Sequence, residues 1–186
     1  MTNLQDGEIL GLTGFGGSGH LVLQLVRHIC PSSRVFVFAR SPAEREFAMQ
    51  LGADWSGDTN EKPTEPPHAI IETTPAWRPV LSALACLRPG GRLVINAIRK
   101  EATDRHLMAD ISYEEHLWLE KEIKTVANVT ARDIDEFLPV AASIPLHVET
   151  ESYALVEANE ALRDLRSGSV RGAKILRIAD APVASA

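Results

Sequence analysis

Residues 14–19 read Gly-Phe-Gly-Gly-Ser-Gly, between the apolar run Ile9 to Thr13 and a stretch with apolar residues at Leu21, Leu23, Leu25, Val26 and Ile29. A strand that enters a helix through G-x-G-x-x-G can be built in few ways. Gly14 permits the tight turn, Gly16 lets the backbone approach a ligand, and Gly19 allows the helix to pack on the strand. The helix N-terminus adds free N–H groups and the positive end of a dipole, a setting that suits phosphate oxygens. The whole loop, Phe15 and Gly17 included, therefore reads as the cradle for the pyrophosphate of a dinucleotide. Gly17, a fourth glycine, leaves it open. Ser18 offers a hydroxyl either to a phosphate oxygen or to solvent. A glycine-rich turn without a ligand is the bland alternative.

Past the loop the chain keeps a strand–helix rhythm. Pro31 stops the first helix, and residues 35–39 lack polar alternation, as in a parallel strand covered on both faces. Ser41 is expected to cap a helix over about 42–51, with Pro42 at its first position and Gly52 past its end. Residues 54–67 read as a polar loop around one short strand. The pattern then predicts a strand over 69–72, a helix over 79–87 and a strand over 92–97. A helix over 113–122 capped by Ser112, and a strand over 124–127, complete the series. This alternation predicts an α/β fold with a doubly wound parallel sheet, a Rossmann domain, over residues 1–128. Residues 129–180 predict an α/β tail of another kind: a helix over 134–143, an extended piece over 147–155, a helix over 156–167 and a strand over 173–178. Residues 181–186 read as a disordered end.

Composition narrows the function. A net charge of −6 with no basic block argues against nucleic acid. No apolar run approaches the roughly 20 residues that span a bilayer, and residues 1–6 lack a secretory pattern, so the cytoplasm is expected. Cys30 and Cys86 make neither a disulfide framework nor a zinc knuckle. The six histidines are scattered. No catalytic and no metal-ligating residue is assigned. His20 follows the last loop glycine and lies near the cleft without an assigned chemical role.

The end of the second strand carries the next signal. An acid about 20 residues past the loop would bind the ribose 2′-hydroxyl of NAD. At that distance stand Ala39, Arg40 and Ser41. With the acid absent, Arg40 and Ser41 suit a 2′-phosphate, which favours NADP(H) with NAD as the alternative. Arg40 also reads as a solvated strand-end charge, and Arg45 as a surface residue.

The string from Gly11 to His20 resembles the cofactor loop of medium-chain dehydrogenases of the zinc-dependent alcohol dehydrogenase type. Leu51-Gly52-Ala53-Asp54, Leu87 to Val94, Glu157 to Leu162 and Val170-Arg171-Gly172-Ala173 occur in the same order as in that family. The resemblance covers residues 5–178 and is nearest to the cinnamyl-alcohol-dehydrogenase-like branch. It implies hydride transfer between NAD(P)(H) and an alcohol or aldehyde. It also implies that zinc resides in a preceding catalytic domain, which would make this chain a C-terminal portion that binds cofactor without oxidising alcohols by itself. Thr73, Thr74 and Pro75 would sit beside the nicotinamide ribose, and Asn96, Ala97 and Ile98 would flank the ring. Arg171 matches a family arginine that reaches the pyrophosphate, or is a turn charge. Family dimers pair through the sheet edge, so a homodimer is expected, near residues 93–98 and the segment just after them. The alternatives are an S-adenosylmethionine-dependent methyltransferase, a zinc-free quinone reductase and a non-catalytic nucleotide-binding module. Arg40 opposes the methyltransferase, whose site needs an acid there.

Overall fold

The computed structural model describes residues 1–127, 129–167 and 172–179. Six strands form one parallel sheet: β1 (Ile9–Thr13), β2 (Arg34–Phe38), β3 (Trp55–Gly57), β4 (Ala69–Glu72), β5 (Arg92–Ile95) and β6 (Glu122–Thr125). Their spatial order is β3-β2-β1-β4-β5-β6. The chain builds outward from β1 through α1 (Gly19–Ile29) and α2 (Pro42–Gln50), then returns to the other side of β1 and builds outward again through α3 (Arg78–Cys86). The reversal between β1 and β4 opens a crevice at the strands' C-terminal ends, as in doubly wound sheets generally. This is the Rossmann arrangement the alternation predicts.

Strand alternation sorts the core into two layers. Leu10 and Leu12 pair in register with Val35 and Val37 and meet Leu23, Val26 and Phe47 of the two helices on that face. On the opposite face Phe36 and Phe38 pack against Trp55, and Ile70 and Leu93 pack against Val80 and Leu84 of α3. Gly11 sits between these groups, and a methyl there would fall 2.8 Å from Ile70 Cγ1, so glycine allows β4 to close on β1. Each fully buried large side chain contributes about 1.5–3 kcal/mol.

Several local expectations are corrected. The helix expected over 113–122 is a single π turn, Tyr113–Leu117, whose cap Ser112 accepts from the Glu115 N–H as expected. Leu119 and Glu120 then take positive φ values of 67° and 56°, turning the chain so that β6 can start at Glu122 beside β5. β5 ends at Ile95 rather than Ala97. Ser41 stands at the N-cap of α2 but its side chain makes no capping bond. Beyond residue 128, α4 (Ala131–Ser143) starts with a reciprocal Thr130–Asp133 capping box. β7 (Thr150–Ala154), α5 (Ala158–Ser167) and β8 (Ala173–Arg177) follow, and β7 pairs with β8 in a separate parallel sheet. No described helix is long and apolar enough to cross a membrane. Residues 181–186 lie outside the described residues.

Candidate functional site

A cleft of about 780 Å³ lies over the C-terminal ends of β1, β2 and β4. The glycine loop forms its floor. Gly14 has φ +83°, a conformation costly for any side chain, and a Cβ there would crowd Thr73 and Thr74. At Gly19 a Cβ would lie 2.9 Å from the Gly14 carbonyl oxygen, so the first helical turn closes only on glycine. Gly16 differs: nothing stands within 4 Å of its would-be Cβ. That open space faces the start of α1, whose first N–H groups have no partner within the helix. Gly17 and Ser18 are exposed on the same rim. Phe15 contributes backbone alone, because its ring is 2% exposed and packs edge-on against Phe47 at 5.7 Å.

The walls come from the ends of β2 and β4. Ala39 and Arg40 line the cleft; Ser41 does not. Arg40 is exposed and has no ion-pair partner among the described residues. Arg45 lies inside the fold's edge rather than on a free surface. It donates to the Ala39 and Arg40 carbonyls at 2.7 and 2.9 Å and pairs with Asp58 at 3.5 Å, fastening the β2 terminus. Thr73, Thr74 and Pro75 line the opposite wall, yet both threonine hydroxyls turn inward. Thr73 Oγ1 donates to the Thr13 carbonyl at 2.9 Å, and the Thr74 hydroxyl donates to Glu72. Asn96, Ala97 and Ile98 do not line the cleft; Ile98 is wholly exposed, and the Asn96 N–H extends the sheet to the Glu72 carbonyl. Arg171 lies outside the described residues.

Three groups escape sequence reasoning. His20 is fully buried, with Nδ1 3.1 Å from the Gly16 carbonyl and Nε2 accepting from the Glu149 N–H at 3.3 Å. This pattern requires Nδ1 to carry the proton and the ring to be neutral. One turn on, Gln24 exchanges two hydrogen bonds with the His147 backbone. An i, i+4 pair on α1 thus docks the tail behind the loop. Asp104 caps α3 from a distant loop, accepting from Trp77 and Arg78 N–H groups at 2.8 and 2.9 Å. Burial opposes its charge, but those donors hold the carboxyl below the usual range. Glu72 and Lys100 form an ion pair, 0% and 11% exposed, beneath the Thr73–Ala76 wall. No spacing in the sequence marks any of these partners.

Burial pushes the Cys86 thiol up, so it stays a neutral packing group. Among the described residues, no three His, Cys, Asp or Glu side chains converge as a metal site.

No protein-family profile matches the chain. It is 37% identical over 177 residues to a probable alcohol dehydrogenase, AdhA, of Mycobacterium tuberculosis, a match that spans 95% of this chain and 49% of that relative. Its fold matches a cinnamyl alcohol dehydrogenase from Sorghum bicolor with a TM-score of 0.80 at 21% identity, over 98% of this chain and 51% of the other. A cinnamyl alcohol dehydrogenase from Helicobacter pylori, solved with NADP(H), matches with a TM-score of 0.77 at 16% identity, over 94% and 49%. The chain spans about half the length of the curated relatives it matches.

Proposed function

The chain belongs to the zinc-type, medium-chain alcohol dehydrogenase family, as its cofactor-binding portion, and on that footing we propose that it binds NADP(H) in the cleft above β1 and β4. The observation that carries this is the open space at Gly16, where a Cβ would meet no protein atom within 4 Å, in a cleft of about 780 Å³ at the N-terminus of α1. The backbone of residues 14–19 holds the phosphates, and Thr73 to Pro75 border the nicotinamide ribose. Asn96 to Ile98, off the present wall, meet the nicotinamide ring from the loop after β5. Arg40, which has no ion-pair partner among the described residues, takes the 2′-phosphate, with Ser41 beside it. The bound nicotinamide supplies the hydride acceptor or donor; this chain binds and orients it. Transfer to an alcohol or aldehyde is the work of the longer protein. Zinc polarises the substrate oxygen in this family, and the described residues do not fit it.

Titration of the protein with NADPH, NADH and S-adenosylmethionine tests the reading. NADPH should bind about tenfold tighter than NADH, a difference of about 1.4 kcal/mol, and Arg40→Gln should erase the preference. Equal affinity of the native protein for both nucleotides would remove the role of Arg40. Binding of S-adenosylmethionine alone would overturn the assignment.

We further propose a homodimer through the sheet edge. Residues 93–98, expected to supply that edge, fall on β5, which lies between β4 and β6; the edge on that side is β6, exposed along its whole length, with Ile123 at 45% and Trp118 and Leu119 nearby. Its open N–H and C=O groups offer a second copy a ladder to extend. Light scattering should give twice the 20.3 kDa of one chain, and Ile123→Lys should return it to a single chain. A monomeric native protein would refute the dimer.

A further inference from the structure

The segment Thr73–Ala76 belongs to no helix or strand, yet it forms a wall of the cleft. Its backbone is fastened point by point. The Thr73 N–H donates to the Thr13 carbonyl at 3.2 Å, and the Thr74 N–H donates to Glu72 Oε1 at 2.8 Å. The Thr74 and Ala76 carbonyls accept from Lys100 Nζ at 2.8 and 2.9 Å. The Pro75 carbonyl accepts from the Glu101 N–H at 2.7 Å. Pro75 has no N–H to satisfy.

Glu72 and Lys100 organise this set. The carboxylate has no exposed surface: Oε1 takes both Thr74 donors and Oε2 takes Lys100. An ammonium has three protons, and Lys100 directs them at Glu72, Thr74 and Ala76. None is left for a substrate or phosphate, which rules out a direct role in chemistry or phosphate binding. The Trp77 ring, its centroid 6.0 Å from Nζ, covers the lysine. Glu72 is the last residue of β4, and Lys100 lies in the loop that follows β5.

We infer that Glu72 and Lys100 are positioning residues whose buried pair shapes the Thr73–Ala76 wall, and with it the ribose-and-nicotinamide half of the dinucleotide site. This rests on the dinucleotide reading above. The adenine half borders Arg40 and the glycine loop, which the pair does not touch, so the two halves should respond differently.

The experiment uses Glu72→Gln/Lys100→Met, which removes both charges and leaves no lone buried ion. NADPH and adenosine 2′,5′-bisphosphate, which lacks the nicotinamide ribose, are titrated against native and variant protein. NADPH should weaken about tenfold, while the bisphosphate should change less than about twofold. In the ligand-free variant, the Thr74 and Glu101 amides should exchange at least about tenfold faster, with Gly11 and Leu12 of β1 unchanged. Equal weakening of both ligands, or unaltered NADPH binding, overturns the positioning role. Native-like exchange at Thr74 and Glu101 overturns the clamp itself. If native protein binds neither nucleotide, the dinucleotide reading fails, and the exchange rates still decide whether the pair holds the wall.

Discussion

Replacing Gly16 by valine is expected to abolish dinucleotide binding and leave the stability of the fold untouched. The two effects separate because of where the side chain would go. No protein atom lies within 4 Å of a Cβ at this position, so the side chain starts in open space, and the His20 bond is made to the Gly16 main-chain carbonyl. On the proposed reading, the space filled is the one the pyrophosphate takes. Affinity for NADPH should fall at least about 100-fold, or about 2.7 kcal/mol. Stability should change by no more than about 0.5 kcal/mol, which is roughly 2 °C in Tm for a chain of this size. Gly19→Val is the contrasting control, because its Cβ meets the Gly14 carbonyl at 2.9 Å and the fold itself should suffer. Calorimetric titration and a thermal melt on the same samples give both readings. Near-native affinity in Gly16→Val would mean that no ligand approaches the loop there.

Lys100→Met should produce the largest loss of stability of any single change near the cleft. The native ammonium neutralises a carboxylate with no solvent access. Removing it leaves the buried Glu72 carboxyl without its ammonium partner, with the Thr74 donors remaining, and strips the Thr74 and Ala76 carbonyls of a donor. Breaking a buried pair from one side costs about 3–5 kcal/mol. That corresponds to a fall of roughly 6–20 °C in Tm. Adding Glu72→Gln removes the stranded charge, and the double variant should recover at least about half the loss, since contacting residues do not add independently. Urea unfolding of the four proteins closes the cycle. A single variant as stable as the native protein would show that the pair contributes nothing to folding.

How much of the fold and site is legible in the sequence depends on the range of the cause. β1 and β4 run over the residues that their apolar runs mark, and α2 starts on Pro42. In these elements the signal is local: an uninterrupted apolar stretch, a fixed φ, a glycine that ends a turn. The glycine loop is legible as a pattern, and the Gly19 contact with the Gly14 carbonyl is local, but Gly14 and Gly17 are also crowded by Thr73, Thr74 and Gly172 from distant parts of the chain. Residues 113–122 show the opposite. Their charged, helix-like pattern is overruled because the chain must reverse at Leu119 and Glu120 to bring β6 alongside β5. Ser41 has a capping residue's identity without its bond, and Phe15 belongs to the core although it sits in the loop.

Sequence by itself determined the strand–helix alternation, the glycine loop between β1 and α1 and the basic residue at the end of β2. Those features depend on φ preferences and apolar periodicity within a few residues. Only the tertiary structure decided what stands behind the cleft. His20 meets Glu149 across 129 residues, Asp104 caps a helix 26 residues before it, and Lys100 meets Glu72 across 28. Such partners have no preferred spacing, because a buried polar group takes whichever donor or acceptor the assembled sheet brings within about 3 Å, and leaving it without one costs more than the bond itself returns.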